Sequence, residues 1–142
     1  MNQTIEKFGY QQTVIREYEH WVVLLRPGQP TLASLVLAAK SEATAFGDLP
    51  SDAFAELAAV TAAIEEGLRS FVDYTKLNYL MLMMVDPHVH FHVIPRYDGS
   101  RRFDGRDYPD QGWPKTPDLS SAQALDADEI VKMRDALRAA WP

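Results

Sequence analysis

Cysteine is absent from the 142-residue chain, which excludes disulfides and thiolate metal centres. That absence suits a reducing compartment. Met1–Tyr10 mixes Gln, Glu and Lys and lacks the apolar stretch of a secretory signal, so a cytoplasmic location is expected. Long apolar runs are missing too. The longest, near Leu80, is far too short to span a bilayer, and no membrane partner is expected. Positive charge is scarce and scattered. The net charge is -6, and no basic stripe stands out. Duplex nucleic acid needs clustered Lys and Arg and is not an expected partner. A small anionic ligand stays compatible, because a local site can oppose the global charge. There is no internal repeat and no low-complexity tract. What is present is an ordinary globular mix, 46% hydrophobic and 24% charged, in a chain of one-domain size.

The first forty residues read as strands. Thr13–Tyr18 alternates loosely, and Trp21–Leu25 is a short apolar run with β-branched content. Arg26-Pro27-Gly28-Gln29-Pro30 breaks it, and Leu35-Val36-Leu37 resumes as a strand. Together they predict an antiparallel meander. A long helix follows, with Ser51 as its N-cap. Phe54, Leu57, Ile64, Leu68 and Phe71 recur at helical spacing to about Asp73, the pattern of a helix packed across a sheet. Leu77–Val85 is rich in Leu and Met and reads as a strand buried on both faces. Asp86-Pro87 reads as a tight turn into a strand over His88–Pro95. Residues 97–119 read as loop. Asp126 caps a last helix, with Glu129 completing a capping box and Ile130, Met133, Leu137 and Trp141 as its apolar stripe. Tyr108–Pro114 is a long stretch without a pattern.

Chemistry concentrates in the histidines. The chain has four, and three of them are His88, His90 and His92. In a strand, alternate residues share a face, so the three imidazoles stand in a row roughly 6–7 Å apart per step. Ile94 and Arg96 continue that face, while Val89, Phe91, Val93 and Pro95 point into the core. The row suits phosphoryl chemistry. A neutral imidazole is a good nucleophile near neutral pH, and its neighbours can donate hydrogen bonds to phosphate oxygens or protonate a leaving group. A metal site is the rival reading, since two His at this spacing can chelate zinc. His88 and His92 lie on the order of 13 Å apart along a strand, so His20 or Asp86 would have to complete the ligand set.

The run His88-Val89-His90-Phe91-His92-Val93-Ile94-Pro95-Arg96 resembles the signature of the histidine triad (HIT) family. Its trailing Ile-Pro-Arg looks most like the dinucleoside polyphosphate hydrolase branch. The order of elements from Trp21 to Arg96 agrees with the family. The resemblance implies an α+β fold, a five-stranded antiparallel sheet with a long helix and a C-terminal helix packed on it. It implies a HIT domain over residues 1–104, with 105–142 as a C-terminal loop and helix extension of the same domain. Members usually pair into homodimers whose sheets join. The middle histidine, here His90, attacks the α-phosphorus and forms a nucleotidyl-histidine that water cleaves. His92 then contacts the phosphate or leaving group, and His88 helps to orient His90. No metal or other cofactor is required.

Three departures from the family pattern stand out. Where relatives carry a further histidine after a Pro-Gly pair, this chain has Leu32-Ala33-Ser34. Where they have a Gly-rich loop before the triad, it has Met83-Met84-Val85-Asp86-Pro87. The usual Asn near the end of the second strand is replaced by Leu25 or Arg26. Arg26, Gln29, Ser34 and Asn78 are therefore the candidate substrate ligands. The expected activity is hydrolysis or transfer at the α-phosphate of a dinucleoside polyphosphate, a nucleoside phosphoramidate or a similar adenylylated compound. A nucleotide-binding protein with little catalysis and a metal-dependent hydrolase using the HxH ligands are the alternatives.

Overall fold

A computed structural model describes residues 1–142. In chain order the elements are α1 (Gln3–Lys7), α2 (Tyr10–Thr13), β1 (Val14–Glu17), β2 (Trp21–Leu25), β3 (Gly28–Gln29), β4 (Leu35–Ala39), α3 (Ser51–Val72), β5 (Lys76–Leu80), β6 (His90–Arg96), β7 (Ser100–Phe103), β8 (Arg106–Pro109), β9 (Gln123–Ala124) and α4 (Ala127–Ala140). Strands β1-β2-β4-β6-β5 form one antiparallel sheet in that order. The fold is α+β, as the family resemblance implies.

The two central meander strands are buried along their whole length, and their alternation divides two apolar layers. Trp21, Val23, Leu25, Leu35, Leu37 and Val93 face the larger core, where Ile64 and Leu68 of α3 meet Met133 and Leu137 of α4. Each fully buried aliphatic side chain here contributes about 1.5–3 kcal/mol. The start of α3 is pinned by the Trp21 indole N–H, which donates to the carbonyl of Ala53 at 2.7 Å. Its later turns accept α4 at Gly67, where a Cβ would stand 2.8 Å from the Trp141 ring. Val22, Leu24, Val36 and Ala38 face the other layer, covered by Ile5 and Phe8 of the N-terminal segment.

Several expectations are corrected. The meander is preceded by two short helices, α1 and α2, where strand was read throughout. Asn2 caps α1 by accepting from the Ile5 N–H at 3.0 Å. Helix α3 starts at Ser51 with Pro50 as its N-cap, and ends at Asp73, whose left-handed φ of 55° closes it. Strand β5 ends at Leu80, so residues 81–85 are not strand. It is the edge of the sheet and is half-buried, rather than buried on both faces. The Asp86-Pro87 hairpin turn becomes part of a longer connection over residues 81–89, because β6 begins only at His90 and pairs Leu80 with His92. Met83, at φ 47°, takes the left-handed conformation within that loop. Residues 97–119 are not all loop either. They contain the β7–β8 hairpin, turned by Asp104-Gly105 with both φ positive, the preferred two-residue hairpin turn. The Asp126–Glu129 capping box is present on α4.

Candidate active site

The triad strand fixes the site by register. Ala38 pairs with His90 and Val36 with His92, and directly opposed residues share a face. His90 and His92 therefore stand on the α1 side of the sheet, with ring centroids 5.1 Å apart and edge to face. Val89 and Val93 go to the opposite core, as the alternation predicts. His88 lies just before the strand. Its ring reaches α1, which puts all three imidazoles on one side.

Hydrogen bonds assign the tautomers. Nδ1 of His90 is 2.7 Å from the carbonyl oxygen of His88. A carbonyl only accepts, so Nδ1 carries the proton and Nε2 keeps a free lone pair. His92 is the reverse. Its Nδ1 accepts from Nε–H of Arg26 at 3.3 Å, which leaves its own proton on Nε2. Neither Nε2 has a protein partner, and no buried side-chain polar atom is left unpartnered. Both Nε2 atoms therefore open to the cavity. His88 is held at both ends. Its Nδ1 lies 2.9 Å from the Thr4 hydroxyl, and its Nε2 lies 3.2 Å from the Glu42 carboxylate. The carboxylate accepts, so Thr4 donates to Nδ1. The backbone N–H of His88 in turn donates to Thr4 Oγ1 at 3.4 Å.

His90 and His92 form the floor of a cavity of about 260 Å³, lined also by Phe8, Arg26, Asp86 and the run Leu82–Val85. Phe8 packs on both imidazoles, 5.8 Å from His90 and 5.9 Å from His92 by ring centroids. Burial lowers the pKa of Arg26. Burial, then the Arg26 charge and His90, pushes His92 down to about 4. His92 is thus a neutral hydrogen-bond donor at physiological pH.

That shift has a consequence for stability. Between about pH 6.5 and 4 the unfolded chain binds a proton at this imidazole and the folded chain does not. The protein therefore loses stability as pH falls through that window, by on the order of 3 kcal/mol, and loses no more from this group below it. Urea unfolding at both ends of the window should show the drop, and His92→Gln should shrink it. An equal drop in the variant would place the effect elsewhere.

The other sequence-derived ligands go to different places. Arg26 reaches the triad. Gln29 does not: it is fully buried, its amide donating to the carbonyls of Arg26 at 2.6 Å and Ser34 at 3.0 Å, and accepting from the Ser34 N–H at 3.1 Å. Ser34 is also fully buried, its hydroxyl donating to the Thr31 carbonyl at 2.9 Å. Both shape the turn that carries Arg26. Asn78 accepts from Nη1 of Arg96 at 2.7 Å and lines a second, larger cavity of about 750 Å³ between β5 and residues 113–117, which contains no histidine. Thr4, Phe8 and Glu42 were missed by sequence reasoning. Nothing in their spacing points to the triad, from which Thr4 is 84 residues away.

The metal reading lacks a ligand set on this chain. No three His, Asp or Glu side chains converge on a position that could hold an ion. His20 lies at the β1–β2 turn, its backbone N–H held by Glu56 at 2.8 Å, and Asp86 pairs with Lys7 at 2.7 Å. No helix is long and apolar enough to cross a membrane.

A five-stranded antiparallel sheet with a histidine triad on one of its faces is the architecture of one protein class. The HIT domain model matches residues 9–99, and the chain belongs to the HIT family. Among solved structures it is similar to a histidine triad protein from Bradyrhizobium japonicum, with TM-score 0.68 and 21% identity over 98% of this chain and 95% of that one. It is also similar to a Zn-bound histidine triad family protein from Mycobacterium smegmatis, with TM-score 0.60 and 23% identity over 89% and 81%. A third is Plasmodium falciparum diadenosine triphosphate hydrolase, with TM-score 0.66 and 9% identity over 91% and 76%. No curated protein matches the chain at a significant level.

Proposed function

We propose that this protein is a cytoplasmic nucleotide hydrolase or transferase that works at the α-phosphate through a nucleotidyl-His90 intermediate. One observation carries the reading: the His88 carbonyl holds the proton of His90 on Nδ1, which aims an unprotonated Nε2 into the cavity beside two donors. In the first step Nε2 attacks the α-phosphorus, and the bond to the leaving group breaks with its electron pair. Nε2–H of His92 and the Arg26 guanidinium stabilise the charge that develops. Water then attacks the same phosphorus and releases the nucleoside monophosphate. His88, clamped by Thr4 and Glu42, orients His90. Residues 105–142 act as an extension of the same domain.

Dinucleoside polyphosphates and nucleoside phosphoramidates are the substrate classes in view. The Ile94-Pro95-Arg96 ending and the Plasmodium hydrolase among the structural neighbours support the first. We further read the unpaired backbone of edge strand β5 as the seam of a homodimer, since a free edge is a template for a second strand. A second reading, nucleotide binding with little catalysis, draws on His92, which is neutral in the fold and a poor proton donor to a basic leaving group.

The test is to quench the enzyme during turnover of diadenosine triphosphate or adenosine phosphoramidate, with a zinc chelator present throughout. A nucleotidyl mass on the peptide containing His90 is expected. Turnover that vanishes with the chelator and returns with zinc would shift the assignment to the metal-dependent mechanism. Tight nucleotide binding with no adduct and no turnover would leave the binding reading.

A further inference from the structure

The second, larger cavity has no part in the reaction at His90. It lies between β5 and residues 113–117 and measures about 750 Å³, a size that suits a small ligand. Its charge runs against that of the molecule. The chain carries 20 acidic residues and a net charge of -6, yet no Asp or Glu lines this cavity. Three of the lysines, Lys7, Lys40 and Lys132, each pair with a carboxylate. The two that pair with none, Lys76 and Lys115, both stand on the cavity walls. A third cation lies between them. Lys76 is the cross-strand partner of Arg96, and the carbonyl of Lys115 accepts from Nη2 of Arg96 at 2.8 Å. Asp110 balances Arg96 and leaves both ammonium groups uncompensated. Like charges set opposite each other cost free energy, and an anion between them recovers it.

A neutral donor joins the two charges. Nη1 of Arg96 can only donate, so the Asn78 atom it meets at 2.7 Å is Oδ1, and the amide NH2 points the other way. That NH2 has no protein partner. No buried side-chain nitrogen or oxygen lacks one, so it opens to the cavity that Asn78 lines. The remaining wall is apolar, with the flat face of Trp113 beside Pro114 and Pro117, and Leu77 and Leu80 across from them. We propose that this cavity is a second ligand site, for a small aromatic dianion, with the ring against Trp113 and the two negative charges shared by Lys76, Lys115 and the Asn78 amide. It stands apart from the chemistry at His90 and does not depend on the nucleotidyl reading. Aryl phosphate monoesters and aryl dicarboxylates share this chemistry. A single charge would leave one ammonium group unpaired, and a bare polyanion would leave the apolar wall uncovered. Lys76, Asn78 and Arg96 project from the triad face by register. Strand addition uses backbone groups in the plane of the sheet, so the site leaves the β5 edge free.

Phenyl phosphate, phthalate, benzoate and inorganic phosphate are titrated into the full chain while the Trp113 indole N–H is followed by NMR. Trp21 and Trp141 lie outside the cavity and serve as internal references. Phenyl phosphate or phthalate should saturate, with the indole shift confined to Trp113, and the tighter of the two names the anion. Benzoate has one charge and inorganic phosphate has no ring, and each should bind about tenfold more weakly or worse. Lys76→Met and Lys115→Met should each weaken the dianion by roughly tenfold. Asn78→Asp keeps an acceptor for Arg96 but replaces the donor by a negative charge, and should abolish binding in a protein that still folds. Failure of both dianions to saturate overturns the proposal, as does binding that survives the two lysine changes. A shift at the His90 and His92 rings without one at Trp113 would place the ligand in the histidine cavity and overturn it too. Lysine variants that change the mass seen by light scattering, with no dianion bound by the parent, would make the cavity a contact between copies instead.

Discussion

His90→Ala is expected to lower kcat/KM by about 10⁴-fold or more, with the fold and nucleotide binding intact. The imidazole stands at the floor of the cavity with Nε2 open and Nδ1 tied to the His88 carbonyl. Nothing nearby can replace it as a nucleophile. Nδ1 of His92 is occupied by Arg26 and its Nε2 carries a proton, while both ring nitrogens of His88 are held by Thr4 and Glu42. His92→Ala should behave differently. It removes a donor to the developing charge, a loss of about 10²- to 10³-fold, and a measurable remnant should persist. His90→Gly should recover part of its activity with free imidazole, which returns the nucleophile in diffusible form. Steady-state rates for the three variants, with nucleotide affinity measured separately, decide the matter. An alanine variant that turns over as fast as the parent would reduce the triad to a binding face.

The parts of the site that sequence made legible are those set by short-range periodicity. The alternation of His90, Phe91, His92 and Val93 gave the face, and the apolar runs gave the sheet around it. The parts that were not legible depend on distant chain. Helix α1 spans five residues, too short for a hydrophobic period, yet it delivers Thr4 and Phe8 to the triad. Gln29 and Ser34 read as ligands because they stand at or beside the positions where the chain departs from the family pattern, but their groups are spent on the turn before β4. Ala33 in that turn sits at φ 61°, the conformation that a glycine adopts freely. The run Leu80–Val85 misled for a simpler reason. Apolar composition suggested a buried strand, whereas the partner strand begins too late to pair with it, and the surplus apolar residues surface around the cavity.

Asp110→Ala is expected to destabilise the protein by about 3–5 kcal/mol, more than any other single change away from the core. Tyr108–Pro114 was without a pattern in sequence, and this residue explains the segment. Arg96, at the end of the triad strand, and Asp110 are 4% and 1% exposed at their side chains. They pair through two bonds, Nε to Oδ2 at 2.8 Å and Nη2 to Oδ1 at 3.2 Å. The same carboxylate accepts from the backbone N–H groups of Tyr97 and Gly112, each at 3.2 Å. Arg96 also donates to the Lys115 carbonyl at 2.8 Å. One buried ion pair thus ties the C-terminal extension to the strand that carries His90 and His92. Removing the carboxylate leaves a guanidinium in a low-dielectric site with its main counter-charge gone, which is why the cost exceeds that of a surface pair. Replacing both partners by hydrophobic residues, as in Arg96→Met/Asp110→Leu, removes the stranded charge and should recover much of the stability. Thermal and urea unfolding of the single and double variants make the comparison. A single variant as stable as the parent would show that the extension is held by its other contacts alone.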